Sequence, residues 1–258
     1  MSHKIEPSIF QDSVAMPWEA NVLDYLDMPY LGISPPTGVT ISGRKGRLYA
    51  QLADNVTFES TPDFTYDTGG GPTGAPVGGY FGGSYFSAGW GYLPDGLTWR
   101  AANNFKYSFW TWVRFKDDDY IPWSYLSTQG GTSGFYPLIT SAGAILLRGY
   151  DAVGSLQALT HSVTAVNNTN YLLVGYYDSA NAEYGLSVNG AAFETLDVTG
   201  NSQIWIEDRA YVSNIGSHNN SQVYTGVLFQ MGWVDQYIFT DDDAAFLYNS
   251  GDGRALRT

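Results

Sequence analysis

From Phe105 to Phe115 the chain alternates with a period of two. Phe105, Tyr107, Phe109, Thr111, Val113 and Phe115 take every second position, and Lys106, Ser108, Trp110, Trp112 and Arg114 stand between them. Successive side chains of a strand point to opposite faces, so this pattern predicts a strand with one continuous apolar face. Its other face carries two tryptophans, and a second layer or a ligand is expected to cover them.

Other segments read the same way. Gly79–Phe86, Tyr171–Tyr177, Tyr184–Val188, Ala191–Leu196, Ile204–Ile206 and Val223–Val234 are short β-rich runs. Asn189-Gly190 joins two of them, and Asn-Gly between such runs is a strong hairpin signal. Turn residues recur roughly every 8–12 positions, the spacing of a sandwich or barrel. One segment predicts a helix. Thr240 is placed to cap it, Asp243 stands three residues later in capping-box position, Asp241–Asp243 suit the positive end of the helix dipole, and Gly251 is expected to close it. That capping role is preferred to a calcium loop for the three aspartates.

Charged residues are 14% of the 258 positions and aromatics 16%, so the polar surface comes from Gly, Ser, Thr, Asn and Tyr. The formal charge of −13 argues against a nucleic-acid binder, whose affinity rests on Lys and Arg, and against anionic membrane surfaces. With no cysteine there is no disulfide, thiolate nucleophile or Cys-ligated zinc, and the three histidines lie far apart in sequence. No apolar run has the 18 or so residues needed to cross a bilayer as a helix. The first residues lack the apolar core of a secretory signal, so synthesis in the cytoplasm is expected.

Two domain-level zones are expected. Residues 1–48 hold Pro7, Pro17, Pro29, Pro35 and Pro36 among apolar side chains. Proline at this spacing interrupts helices and central strands. The zone reads as an extended arm whose Phe10, Trp18, Tyr25 and Tyr30 pack on something: the chain's own domain, a sister subunit or a larger assembly. Residues 49–258 form the β domain. The glycine-rich stretch 66–96 lacks the grammar of a phosphate loop and reads as turns leading into a strand.

Three segments together resemble the laminin-G-like, concanavalin A-like jelly roll of bacterial and phage proteins. GGYFGGSYF at 78–86 with FKYSFWTWVRFK at 105–116 is similar to that family's first strand pair. NYLLVGYYDSANAEYGLSVNG at 170–190 is similar to its hairpin, and GWVDQYIFTDDDAAFLYNSGDGR at 232–254 to its ending. The resemblance covers roughly 50–258. It implies an all-β, two-sheet antiparallel jelly-roll sandwich with the N-terminal arm outside it and one short C-terminal helix. It also implies a glycan or protein ligand, and often a calcium ion. Gly82 stands where the family commonly has Asp, and Gln230 or Met231 where it has an acid. Both changes remove calcium oxygens, so no cofactor and no metal is expected.

Cleavage of a sugar bond usually needs two carboxylates about 5–10 Å apart, and the jelly-roll glucanases of the resemblance carry them on one strand face. Glu194 with Asp197, and Glu207 with Asp208, do not meet that pattern. No GxSxG elbow occurs, and His161 and His218 read as surface residues. Catalytic residues are therefore not expected. Glycan binding needs flat aromatic faces beside a few placed polar groups. Trp90, Tyr92, Trp123, Tyr125, Phe135 and Tyr136 lie in or around loop-like segments and are the candidate ligand-binding residues, for a glycan or a protein. Packing or subunit contact is the alternative for each. Trp110, Trp112, Trp205 and Trp233 lie in strands and read as packing.

The expected function is a non-enzymatic adhesive module on a virion surface: a phage capsid decoration, fibre or tail component. Its expected partners are other virion or assembly proteins, copies of itself as a homo-oligomer, and surface polysaccharide, with no nucleic acid and no membrane insertion. A free carbohydrate-binding lectin is the second reading and a glycoside hydrolase the third.

Overall fold

The computed structural model describes residues 8–11, 14–27, 40–42, 48–53, 64–67, 71–73, 75, 78–82, 85–90, 106–115, 123–125, 135–150, 156–199, 212–215, 217–218, 222–223 and 225–256. Among these the chain is two eight-stranded antiparallel sheets, a two-stranded ribbon and one α-helix.

Sheet 1 runs, from one edge to the other, β14 (Glu194–Asp197), β13 (Glu183–Val188), β12 (Asn170–Asp178), β7 (Lys106–Phe115), β18 (Thr225–Asp235), β5 (Gly78–Gly82) and β4 (Phe64–Asp67). β1 (Val22–Asp27) joins the same sheet. It pairs with Gln230–Val234 of β18, while β5 pairs with Thr225–Leu228. The two short strands thus share one side of a long one. The β18–β7 register shifts between Leu228 and Met231, where one partner ends and the other begins.

Sheet 2 runs β11 (Leu156–Thr164), β10 (Ala144–Tyr150), β9 (Phe135–Ile139), β8 (Trp123–Tyr125), β15 (Val212–Ile215), β6 (Tyr85–Trp90), β3 (Leu48–Ala53) and β2 (Thr40–Ser42). A two-stranded ribbon, β16 (Ser217–His218) with β17 (Gln222–Val223), stands apart. The expected two-sheet antiparallel sandwich is the observed architecture.

β7 sits in the middle of sheet 1 and explains the alternation. Tyr107 and Phe109 meet the buried Phe135 of sheet 2 edge-on at ring-centroid distances of 6.0 Å each, so these positions fill the space between the sheets. Trp110 and Trp112 point the other way and are equally buried. The chain covers them with itself. Phe10, Trp18, Val22 and Tyr25 from the N-terminal arm form one apolar cluster with Trp110, Trp112, Leu172 and Val174. Phe239, the helix residues Ala244 and Leu247, and Leu256 from the tail belong to it as well.

One sequence expectation changes here. The run Gly79–Phe86 is not one strand but parts of two, β5 in sheet 1 and β6 in sheet 2. Glycine contributes no side chain to a pleat and tolerates a corner, and Gly82 ends β5. The arm packs on the chain's own domain, one of the three expected places. β2 pairs with β3 across the expected boundary at residue 48, and Phe10 forms a bridge with Leu256. Tyr30 and Ile204–Ile206 lie outside the described residues.

The helix α1 (Asp241–Tyr248) starts as its sequence predicts. The Thr240 side chain accepts from the Asp243 N–H, and the Asp243 carboxylate accepts from the Thr240 N–H at 2.9 Å. It stops earlier than expected. Asn249, in the left-handed conformation at φ 49°, closes it two residues before Gly251. Asn tolerates this region through its short polar side chain, so it takes the role glycine often fills.

Candidate functional site

The candidate aromatics fall on sheet 2. Trp90 ends β6, Trp123 and Tyr125 occupy β8, and Phe135 and Tyr136 open β9. β15 lies between β8 and β6, in register with both: Ile215 faces Trp123 on one side and Phe86 on the other, and Ser213 faces Tyr125 and Ala88. β6, which ends at Trp90, therefore lies two strand spacings, about 10 Å, from β8, and Trp90 falls one residue past the Val212–Gly89 pair. Tyr125 is in turn the cross-strand partner of Phe135. Tyr92 lies outside the described residues.

Phe135 and Tyr136 correct the loop reading. Both belong to a regular strand and both are buried, at 2% and 1% exposure. Phe135 packs against Tyr107, Phe109, Tyr177 and Tyr184 between the sheets. Tyr136 lies on the opposite face of β9 in a small cluster with Leu138 and Leu146. The aromatics of the arm are likewise interior. Phe10 and Trp18 are fully buried, with rings 6.1 and 5.8 Å from that of Trp110, and Tyr25 is 9% exposed. Their side chains are spent on the chain's own sheet.

Three carboxylates, Glu19, Asp178 and Asp243, have the same inward character. Glu19 is buried and accepts from Ser8 Oγ at 2.9 Å, from the Met16 N–H at 2.7 Å and from the Ile9 N–H. It folds the arm back on itself. Asp243 accepts from Trp18 Nε1 at 2.9 Å, from Thr240 Oγ1 at 2.8 Å and from the Tyr237 hydroxyl at 3.2 Å. Burial, with Asp243 adding to it, raises the Tyr237 hydroxyl above the ordinary tyrosine value. Asp178 accepts from the Ala180 N–H and from Asn181 Nδ2, both at 2.9 Å. Glu183 accepts from the Tyr176 hydroxyl at 2.6 Å, and burial first, then this carboxylate, pushes that tyrosine far up. Burial also raises Asp235. The capping box was legible in the spacing of Thr240 and Asp243. Glu19 was missed although its donors are local: Met16 stands three residues before it, and Ser8 and Ile9 about ten.

One polar cluster joins the sheets at their open edge. Glu194 of β14 accepts from the Ser162 N–H at 3.0 Å and from Ser162 Oγ on β11. His161, expected at the surface, is buried at 5% exposure, and its Nδ1 accepts from the Val163 N–H at 3.0 Å. Its Nε2 lies 3.7 Å from Glu194 Oε1 and has no hydrogen-bond partner. Burial, the larger effect, lowers the His161 ring below the ordinary value of 6.5, while Glu194 opposes it. Glu194 is held below its ordinary value chiefly by the Ser162 hydroxyl. This is not the wiring of a serine nucleophile. The Ser162 proton goes to a carboxylate, and no imidazole nitrogen receives it.

Among the described residues no group of three or more His, Cys, Asp or Glu side chains is placed to hold a metal. Gln230, at the position where the resembling family has an acid, is buried. Its Nε2 donates to the Arg254 carbonyl at 2.8 Å, and its Oε1 accepts from Trp110 Nε1 at 3.3 Å. No helix among the described residues is long and apolar enough to cross a membrane.

No protein-family model matches the sequence, and no curated protein matches it. Solved structures do. The receptor-binding domain of a botulinum neurotoxin mosaic serotype C/D aligns over 89% of this chain at 10% identity, with a TM-score of 0.59. The binding domain of Paraclostridial Mosquitocidal Protein 1 aligns over 90% at 12% identity, with a TM-score of 0.56. This chain spans 51% and 52% of those two structures, about half of each. A shorter stretch, 57% of the chain, aligns with 84% of the Ruminococcus gnavus IT-sialidase CBM40 bound to alpha2,3 sialyllactose, at 16% identity and a TM-score of 0.48. At these identities the likeness to the toxin domains is one of fold: an all-β sandwich.

Proposed function

We propose that this chain is a non-catalytic binding module that presents a β-sandwich for adhesion. The observation that carries the reading is the use of its carboxylates. Glu19, Asp178, Glu183, Glu194 and Asp243 each accept hydrogen bonds that fasten strands, arm or helix. Glu183 stands opposite Asp178 and Asp197 across the strands, but the Tyr176 hydroxyl engages Glu183, and the Ala180 N–H and Asn181 engage Asp178. The fold it shares with the receptor-binding domain of a botulinum neurotoxin supports the same class. The outer face of sheet 1 is roofed by the arm, α1 and the tail, so ligand contact is assigned to sheet 2 and its loops, with Trp90, Tyr92, Trp123 and Tyr125 as the candidate aromatics.

The finer reading is a virion surface component, a capsid decoration, fibre or tail protein, homo-oligomeric and free of metal and cofactor. Its support is the laminin-G-like resemblance of residues 50–258. Glycan-array screening followed by calorimetric titration tests the binding role. Binding is expected, with loss in Trp90→Ala or Trp123→Ala at an unchanged unfolding temperature. Flat titrations against host-surface polysaccharides and proteins, or variants that only unfold, would overturn the assignment. Mass spectrometry of purified particles tests the virion reading, and absence of the chain from them would end it.

A further inference from the structure

The seam between β11 and β14 is built around an imidazole that has no room for a second proton. β10 and β11 pair Ala144 with Thr164 and Leu146 with Thr160, so one residue between these pairs, Ile145, faces three on the other strand, His161–Val163. Extra residues of this kind form a bulge and bend the strand. His161 lies inside the bulge and holds it by accepting the Val163 N–H on Nδ1. That bond requires an unprotonated Nδ1, which puts the ring's proton on Nε2. The His161 side chain is 2% exposed, and the adjacent Ser162 carries the bonds to Glu194 that bind β14 of the other sheet to β11. β14 is four residues long and is the edge strand of sheet 1.

A proton added to Nδ1 sets two donors against each other at Val163. The charged ring is cut off from water, and the nearest opposite charge is Glu194 Oε1 at 3.7 Å, already engaged by Ser162. We propose that this seam is an acid-operated latch, in which protonation of His161 opens the β11 bulge, draws Glu194 off Ser162 and loosens β14 while the rest of the sandwich stays paired.

The surrounding charges fit this. β11 carries no ionisable side chain other than His161. β10 contributes Arg148, opposite Ala158 near the far end of β11. β13 contributes Tyr184, packed between the sheets, and Glu183, engaged by Tyr176. β14 contributes Glu194 and Asp197, and Glu194 alone acts on the ring. The direction follows from linkage. The folded state favours the neutral ring, so the unfolded or opened state binds more protons in the interval below 6.5, and closure weakens as pH falls through it.

Amide hydrogen exchange of the whole chain by NMR, from pH 7 to 4.5 and corrected for intrinsic rates, tests the latch. Protection at Ser162 and Val163 is expected to fall by up to about tenfold per pH unit below 6.5, where the opened ring is charged and the closed ring still neutral, while Leu172 and Val174 of β12 keep theirs. The ¹⁵N signal of His161 Nδ1 should change over the same interval. In Glu194→Gln the transition should move to lower pH, because the carboxylate that favours the charged ring is gone. His161→Asn, which keeps a short acceptor for Val163, should abolish it. Protection at Val163 that merely follows β12, a ring neutral down to pH 4.5, or a transition that vanishes in Glu194→Gln would overturn the proposal. The wild-type ring titration decides alone if His161→Asn does not fold.

Discussion

Three glycines of sheet 1 are placed where an aromatic ring needs the space. Gly175 pairs directly with Phe109, Gly185 with Tyr176 and Gly232 with Trp110. In each pair a Cβ on the glycine would lie inside its partner's ring, at 2.5, 2.1 and 1.9 Å from the nearest atom. Glycine weakens a strand by itself, but an aromatic laid across it restores apolar cover and sets the register. Trp110 cannot swing away, since Phe10, Trp18 and Phe239 surround it. Gly232→Ala should therefore cost about 1–3 kcal/mol in urea unfolding. In the double variant with Trp110→Leu the two losses should sum to less than their separate values, because the clash goes with the ring. Both tryptophans of β7 could be seen in the sequence as needing cover. Their cross-strand partners could not, because register is a property of two strands that meet from distant positions: Trp110 pairs with Val174 on one side and Gly232 on the other, and Trp112 with Leu172.

At the scale of elements, α1 is held by what it touches. Eight residues are too few for a stable isolated helix, and its apolar residues Ala244 and Leu247 are buried on sheet 1. Gly190, at φ +69°, lets the β13–β14 turn come close under the helix, where an added Cβ would be 2.7 Å from that of Tyr248. The Asn-Gly signal marked this hairpin correctly, though the strands stop at Val188 and resume at Glu194 rather than flanking a two-residue turn. Thr240→Ala removes the cap and should cost about 0.5–2 kcal/mol, seen as a lower midpoint in thermal unfolding. Trp18→Phe leaves Asp243 Oδ1 without its indole donor in a buried site and should cost about 1–3 kcal/mol by the same measurement. A peptide of residues 238–258 should show no helical circular dichroism.

Across the whole molecule, the two ends of the chain close one face. Phe10 bridges Leu256, the Gln11 N–H donates to the Ala255 carbonyl at 2.7 Å, and Arg254 Nε donates to the Phe246 carbonyl at 2.9 Å with its guanidinium 4.3 Å from the Phe246 ring. Removing residues 1–27 deletes β1 and exposes Trp110. The truncated chain should lose stability and bind a hydrophobic dye, rather than merely change its sedimentation coefficient. A truncated chain that unfolds at the same temperature as the whole one would instead leave the arm free to anchor elsewhere.

What could be read from the residues alone was local. Period-two alternation, turn chemistry and a capping box depend on neighbours within a few positions, so the all-β class, β7 and the start of α1 were legible. So was the need to cover Trp110 and Trp112. Which groups would supply that cover, that Phe135 and Tyr136 would be interior, and that His161 would be buried beside Glu194 were decided by the tertiary structure. These facts depend on which strands become neighbours and which sheet face they line. Burial and hydrogen bonding between distant segments have no local signature, because the energy that selects them appears only when both sheets are in place.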